Sequence, residues 1–474
     1  MGKVEIHRQH FIDGAWTDSH GDSFIDVVNP ATEQVLARVP AGDESDATSA
    51  VLAARRAFNA WSTLDLDTRL MHLRRVLVEL KSQRDTLIET VIEELGAPRK
   101  AAADAQVDLP LEVFERICDL APGVEVEWTI ENVRVLREPI GVVSCITPWN
   151  YPLHQVIVKV VAAMAMGCTV VLKPSEVTPI SALMFADAFA RAGFPEGVFN
   201  LVIGTGPMVG EVLASHAEVD MVSFTGSTRA GIRVSELAAT TVKRVSLELG
   251  GKSASIILPS ADLDEAVKRT IASCFENSGQ ACSALTRLLV PQHTLPAVED
   301  IAAVEASSYM VGDPRDESTV LGPLVNAAQR DRVTRMVKRA VEQGGRVIIG
   351  DQTEPVTDTG YFFPPTVISD IRPDMEIARD EVFGPVLVLI GYESVDEAVR
   401  IANDTDYGLS GAVWAADDQE ASQIARQLRT GQVIINGGGW NFLAPFGGYK
   451  KSGLGRESGT LGMEEFLEIK ALRL

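Results

Sequence analysis

The chain has 474 residues, more than a single hydrophobic core serves, so two or three domains are expected. With 46% hydrophobic and 23% charged residues it has the make-up of an ordinary soluble enzyme. A formal net charge of −22 argues against nucleic acid or an anionic membrane as partner, because both need a positive footprint.

Met1 to Asp13 is polar and has no apolar signal-like run, and the longest near-apolar stretch, Val160 to Leu172, is too short to span a bilayer. The cysteines Cys118, Cys145, Cys168, Cys274 and Cys282 are odd in number and lack C-x-x-C spacing. No disulfide framework or metal knuckle is read from them, and a reducing, cytoplasmic setting is expected. Residues 11 to 40 alternate short β-type runs with turns at Asp13-Gly14 and Asn29-Pro30. Asp43 or Ser45 can cap a helix running to about Trp61, and Leu70, Leu73, Val76, Leu77 and Leu80 recur at helical spacing. Pro122-Gly123 introduces a hairpin of β-type residues over Val124 to Leu136.

From Ile140 the pattern turns into strand, helix, strand, helix. The strands are Val142 to Ile146, Thr169 to Leu172, Val198 to Ile203 and Met221 to Phe224; the helices are Leu153 to Met166, Ser181 to Ala192 and Met208 to Ser215. Short Val/Ile runs alternating with helices imply parallel strands joined by right-handed crossovers, a doubly wound α/β sheet. Ligands of such sheets bind beyond the carboxyl ends of the strands, where Pro148 to Asn150, Lys173 to Glu176 and Gly226-Ser227 fall. A second α/β region begins near Lys252. It holds a strand Ser255 to Leu258, helices at Leu263 to Ala272, Ala327 to Gln343 and Val395 to Asn403, and strands near Val386 to Ile390, Gly411 to Trp414 and Val433 to Ile435.

Two familiar patterns fail on inspection. Gly250-Gly251-Lys252-Ser253 imitates the end of a P-loop, but Ser246 stands where its first glycine belongs. Gly204 to Gly210 follows a strand and opens a helix, yet carries one residue too many for a dinucleotide fingerprint. The stretch Phe275 to Ala284, Phe-Glu-Asn-Ser-Gly-Gln-Ala-Cys-Ser-Ala, is more informative. Its glycine implies a close approach of backbone to ligand, and Cys282 is a candidate nucleophile if something removes its proton. Glu248 supplies a candidate base. Taken singly, a cysteine is more often a small buried hydrophobe and a glutamate a solvated surface group.

Together with Thr147-Pro148-Trp149-Asn150, Lys173-Pro174-Ser175-Glu176, Phe224-Thr225-Gly226-Ser227 and Glu381-Val382-Phe383-Gly384-Pro385, these two stretches resemble the aldehyde dehydrogenase superfamily in order and spacing. The resemblance runs from Phe11-Ile12-Asp13-Gly14 to Pro445-Phe446-Gly447-Gly448. It implies a Rossmann-like NAD-binding domain (1–121 and 141–248), an α/β catalytic domain (249–440), and an oligomerisation element (122–140 and 441–474) that makes a homodimer or homotetramer. It also implies an aldehyde oxidised to its acid through a thioester on Cys282, with Asn150 and the Cys282 backbone N–H as oxyanion donors and Glu248 activating the hydrolytic water. Coenzyme A-acylating relatives typically lack that base, so its presence favours hydrolysis. Lys159 and Glu457 match positions that relay the proton outward, or else form a structural ion pair.

Cofactor positions implied by the resemblance are Ile146, Thr147, Pro148, Trp149, Lys173, Ser175, Glu176, Gly206, Phe224, Thr225, Gly226, Ser227, Leu249 and Gly250. Glu381 and Phe383 join them on the nicotinamide ribose and ring. A carboxylate at Glu176 suits ribose hydroxyls and repels a 2′-phosphate, which favours NAD over NADP, although Lys173 leaves some dual use open. The pocket is expected to be lined by Tyr151, His154, Gln155, Val158, Ala281, Ser283, Trp440 and Phe442. Val158 stands where many relatives carry tryptophan. With no arginine pair in these segments, an aromatic or medium aliphatic aldehyde is expected over succinic semialdehyde; a betaine aldehyde is an alternative. Rival readings are a catalytically idle relative that keeps the fold and an esterase, which would turn over without cofactor.

Overall fold

The computed structural model describes residues 4–350 and 356–474. Its larger sheet has eight strands in the order Gly453–Leu454, Arg244–Glu248, Met221–Thr225, Val142–Ile146, Thr169–Lys173, Phe199–Leu201, Gln9–Ile12 and Ala15–Asp18. The five from Arg244–Glu248 to Phe199–Leu201 are mutually parallel. Val142–Ile146, Thr169–Lys173 and Met221–Thr225 are buried at every residue. Helices covering both faces explain why they read as unbroken apolar runs rather than alternating ones. The doubly wound sheet expected from the sequence is therefore present, with antiparallel strands added at both edges.

One of those edges corrects the sequence reading. Gly453–Leu454 belongs to the 441–474 segment assigned above to oligomerisation, yet it pairs with Arg244–Glu248, placing Gly453 opposite Glu248. Two residues carry no strand signature, and the pairing depends on Gly453 at φ 144°, where a β-carbon would lie 2.0 Å from the Leu247 carbonyl oxygen. The strand Arg244–Glu248, absent from the sequence reading, is what delivers Glu248 to the sheet's carboxyl edge.

The second sheet has seven strands, in the order Arg346–Ile349, Thr366–Ser369, Val386–Tyr392, Arg287–Pro291, Ala254–Ile257, Gly411–Trp414 and Ile434–Ile435. All neighbours are parallel except the first pair. The expected hairpin spans Glu127–Ile130 and Val133–Pro139, turning at Glu131 with φ 51°, and the C-terminal strand Leu467–Arg473 extends it to three strands. A further three-stranded sheet joins Glu5–Ile6, Val35–Pro40 and Phe24–Val28.

The first long helix, Glu44–Ser62, starts at Asp43 in a capping box closed by Asp46. The helix Pro152–Ala165, which follows the strand Val142–Ile146, is buried along almost its whole length. That burial accounts for its hydropathy, and no described helix is long and apolar enough to cross a membrane.

Candidate active site

Cys282 lies on a loop that the backbone holds in an unusual shape. Asn277, Ser278 and Gly279 all have positive φ (51°, 56° and 74°), three consecutive left-handed residues that only tight external bonding sustains. Ser278 Oγ donates to the Gly322 carbonyl at 2.9 Å, and Gln280 Oε1 accepts the Val325 N–H at 2.9 Å. A β-carbon on Gly279 would sit 2.1 Å from the Gly384 carbonyl carbon and oxygen. The close approach expected of this glycine is thus made to protein backbone, the Phe383-Gly384-Pro385 turn, rather than to a ligand.

Asn150 is set against the same loop. Its Nδ2 donates to the Gln280 carbonyl at 2.9 Å, and its own carbonyl accepts from Asn277 Nδ2 at 2.9 Å and Gln106 Nε2 at 3.1 Å. An amide nitrogen has two N–H groups, so one bond orients Asn150 and leaves the second available. The Cys282 N–H makes no hydrogen bond among the described residues.

Glu248 ends its strand beside the thiol, and both of its buried carboxyl oxygens lack a well-formed hydrogen bond. Burial, then the neighbouring Glu457 carboxylate, pushes Glu248 up to about 8. Burial and the proximity of Glu248, Glu381 and Glu457 raise the Cys282 thiol well above its ordinary value, although the residue is only half-buried by surface area. The sulfur is reachable from outside yet hemmed in by carboxylates, which disfavour a thiolate. The largest influences on the thiol all raise it, so a base must remove its proton. Lys159 and Glu457 form a buried ion pair, and both charges act on Glu248 in opposite senses.

The sheet's carboxyl edge collects the expected cofactor residues. Ile146 and Thr225 close their strands, Phe224 lying in the core just before Thr225, and the buried hydroxyls of Thr147 and Thr225 have no partner. Pro148 and Trp149 are half-buried, Trp149 meeting Phe383 edge-on at 5.4 Å. Lys173 is almost fully buried and lowered by that burial; its ammonium donates to the Pro174 carbonyl at 2.7 Å and pairs with Glu176 at 3.2 Å. Ser175 accepts the Val177 N–H at 3.2 Å. Gly206 opens the turn into the helix Glu211–Ser215, and Gly210 of that turn approaches the Lys173 stem. Gly226 packs on the Phe224 ring, and Ser227 caps the helix Thr228–Ala239 by accepting the Ala230 N–H, leaving that N-terminus directed at the same edge. Leu249 packs on Gly231, and Gly250 leaves room for the Glu381 carboxyl, which accepts the Gly251 N–H at 3.0 Å. Burial raises Glu381 to about 7.

The pocket residues fall on two walls. Tyr151 donates to Glu276 at 2.9 Å, and burial raises its phenol, with Cys282 among the groups acting on it. His154 is lowered to about 4 by burial and by Lys159, and it meets Phe442 edge-on at 6.3 Å. Gln155 and Val158 are buried further along the helix, the Gln155 side-chain Oε1 without a partner. Ala281 is buried and Ser283 half-buried beside the nucleophile. Trp440, about half exposed, packs on Phe442 and Phe446 at 5.9 and 5.4 Å.

Several residues escaped the sequence reading. Gln106 reaches Asn150 from a π-helical turn, Asp104–Asp108, that no periodicity announces. Asn277 and Gln280 lay in a stretch singled out for its cysteine and glycine, with no role read for either side chain. Gln329 donates to the Val382 and Phe383 carbonyls, and Ser452 donates to the Gly250 carbonyl while accepting the Gly408 N–H. These are backbone supports joining distant segments, and no local signal marks them.

Residues 16–472 match the family model described as the aldehyde dehydrogenase family. A curated relative from Pseudomonas sp., 3-succinoylsemialdehyde-pyridine dehydrogenase, is 47% identical over 468 residues, covering 98% of each chain. The crystal structure of aldehyde dehydrogenase C from Pseudomonas syringae, a cysteine-to-alanine variant with NAD+ and octanal, superposes with a TM-score of 0.97 at 46% identity, covering 98% of this chain and 96% of that one. A betaine aldehyde dehydrogenase from Staphylococcus aureus solved with NAD+ gives a TM-score of 0.95 at 36% identity, covering 98% and 94%. The chain belongs to the aldehyde dehydrogenase family.

Proposed function

We propose that this protein oxidises an aldehyde to the carboxylic acid with NAD, through a thioester on Cys282 that a Glu248-activated water hydrolyses. The observation that carries this reading is a half-buried thiol whose nearest base is a buried carboxyl bound to no other side chain, on a loop that also holds an uncommitted Cys282 N–H and orients the Asn150 amide. Glu248 takes the thiol proton as Cys282 Sγ bonds to the carbonyl carbon. The Asn150 amide and the Cys282 N–H receive the oxyanion. NAD, when bound, supplies the acceptor for the hydride released as the oxyanion collapses. Glu248 passes the thiol proton outward and, ionised again, draws a proton from water, which attacks the thioester carbonyl; the Cys282 thiolate leaves and is reprotonated as the acid is freed. The Lys159–Glu457 ion pair beside Glu248 is the route by which the thiol proton leaves it between the two steps.

The residues present fit the dinucleotide. Two orphaned buried hydroxyls, Thr147 and Thr225, lie at the edge where Glu176 offers a carboxylate for ribose and the Ser227-capped helix offers N–H groups for pyrophosphate. Glu176 disfavours NADP. Glu381 and Phe383 would face the nicotinamide end. The relatives solved with NAD+ support the same cofactor.

The pocket walls, with neutral His154 and aromatic Phe442 and Trp440, favour an uncharged apolar aldehyde, medium aliphatic or aromatic. The octanal complex and the relative named for a semialdehyde-pyridine support that class. The two large sheets correspond to a cofactor domain and a catalytic domain, and the three-stranded sheet of Glu127–Ile130, Val133–Pro139 and Leu467–Arg473, with Ile130 and Ile469 exposed, to a homo-oligomer contact. Five free cysteines fit a reducing compartment such as the cytoplasm.

Cys282→Ala is expected to abolish NADH formation from octanal and benzaldehyde while leaving NAD binding intact by calorimetry. Normal turnover in that variant overturns the reading.

A further inference from the structure

The Gly250-Gly251-Lys252-Ser253 stretch, which fails as a P-loop, leads into the strand Ala254–Ile257. Arg287 and Gly411 both stand opposite Ala254 in the second sheet's register. Around these strand starts, Lys252, Ser253, Arg287, Asn403, Thr405 and Leu409 wall a cavity with a free volume of about 10 Å³. That is room for one particle of roughly the size of a water molecule and for no polyatomic ligand. The cavity lies behind the nucleophile. A β-carbon on Gly251 would meet the Cys282 carbonyl oxygen at 2.5 Å on one side, and Leu409 at 3.3 Å and Ser253 Oγ at 3.4 Å on the other.

Two buried cations line this space, and no carboxylate does. Lys252 is 1% exposed and Arg287 2%. Arg287 donates to the Lys252, Ile401 and Ala402 carbonyls, each at 2.9 Å, which leaves N–H groups of the guanidinium uncommitted. The Lys252 ammonium and the buried Ser253 hydroxyl have no hydrogen-bond partner. A buried cation is costly unless it is paired, so the lysine must shed its proton or find a counter-charge. Burial, then Arg287, lowers it to about 7 against the weaker pull of Cys274, Glu381 and Asp380. A water molecule in the cavity supplies an acceptor without charge; a monatomic anion supplies both.

We propose that the cavity is a binding site for a single halide ion, chloride or bromide, held by the Lys252 ammonium, the Ser253 hydroxyl and the free N–H groups of Arg287. The half-buried Asn403 and Thr405 mark its open side, where the Lys450 ammonium donates to their carbonyls at 2.8 and 3.0 Å. The ion braces the Gly250–Ser253 segment, whose Gly251 N–H holds the Glu381 carboxyl at 3.0 Å. Halide binding there does not depend on Cys282 being the nucleophile.

The test pairs anomalous diffraction, from crystals of the full chain grown with sodium bromide, with thermal unfolding in sodium chloride and in sodium gluconate at matched ionic strength. Gluconate is too large for the cavity. A bromide peak between Lys252, Ser253 and Arg287 is expected in the unmodified protein, and its loss in Lys252→Met. The melting midpoint should climb with the logarithm of chloride concentration, by about one to two degrees per tenfold rise once the site fills. It should climb less at pH 8.5 than at pH 6, because binding at the higher pH has to protonate the lysine first. In gluconate, and in Lys252→Met, the chloride-specific climb should vanish. If that variant fails to fold, the bromide map and the pH dependence of the unmodified protein decide. Density for water alone where bromide is expected, or a midpoint that responds to gluconate as it does to chloride, overturns the proposal.

Discussion

Glu248 concentrates the conflict between stability and chemistry. A carboxyl raised from about 4.5 to about 8 is protonated in the folded protein at neutral pH and ionised in the unfolded chain. The folded state holds a proton the unfolded state releases, so this residue's contribution falls as pH rises from about 4.5 to about 8. At pH 7 the cost is on the order of 3 kcal/mol. Glu248→Gln should therefore raise the melting temperature, and by more at pH 8 than at pH 5, which scanning calorimetry would register. The same substitution should slow the burst of NADH, which needs the thiol deprotonated, and lower steady-state turnover at least a hundredfold. In the unmodified enzyme the base is the ionised form, so kcat/KM should increase with pH through about 8. A rate flat from pH 6 to 9 would contradict Glu248 as base.

The loop from Glu276 to Ala284 shows how an element, rather than a residue, places the sulfur. Its left-handed run stores strain that Gln280, Ser278 and Asn277 offset through bonds to Val325, Gly322 and Asn150. Gly279 lets this loop touch the Phe383-Gly384-Pro385 turn directly, and Gln329 fixes that turn from the helix Ala327–Glu342. Gly279→Ala adds about 1 kcal/mol of backbone strain and drives the two segments apart. It should raise the KM for NAD and lower kcat, each by tenfold or more, since the loops meet where the nicotinamide ring and the thiol must. Unchanged kinetics in a folded Gly279→Ala protein would show the contact to be incidental. The Cys282 stretch was legible as a whole, yet the partner of its glycine was not, because Gly384 is more than a hundred residues away and glycine has no side chain to advertise a contact.

At the scale of the molecule, the C-terminal segment ties three regions together. Gly453 pairs beside Glu248, Glu457 pairs with Lys159, and Leu467–Arg473 completes the sheet begun by the hairpin. Arg244, on the same strand as Glu248, donates to the Leu467 carbonyl at 2.8 Å and pairs with Glu468 at 2.9 Å. Ile469 and Leu474 are largely exposed on that strand and just past it, apolar area a lone chain would hide. Ile469→Asp should shift the protein toward smaller assemblies, and light scattering coupled to size exclusion would measure it. An unchanged mass would remove this strand from the interface.

The sequence by itself determined the parallel core, because strands buried on both faces must be continuously apolar, and its ordered motifs singled out Cys282, Glu248 and Asn150 as candidates whose residue types the proposed chemistry requires. Tertiary structure alone decided the edge strand at Gly453, the supports at Gln106, Gln280, Gln329 and Ser452, and the packing of Val113, Ile117 and Leu120 around the same small cavity as Val158 and Phe442. Each of these joins segments far apart in the chain through backbone carbonyls, amides or plain hydrocarbon. Such groups are present in every stretch of polypeptide, so only the folded arrangement distinguishes the ones that matter.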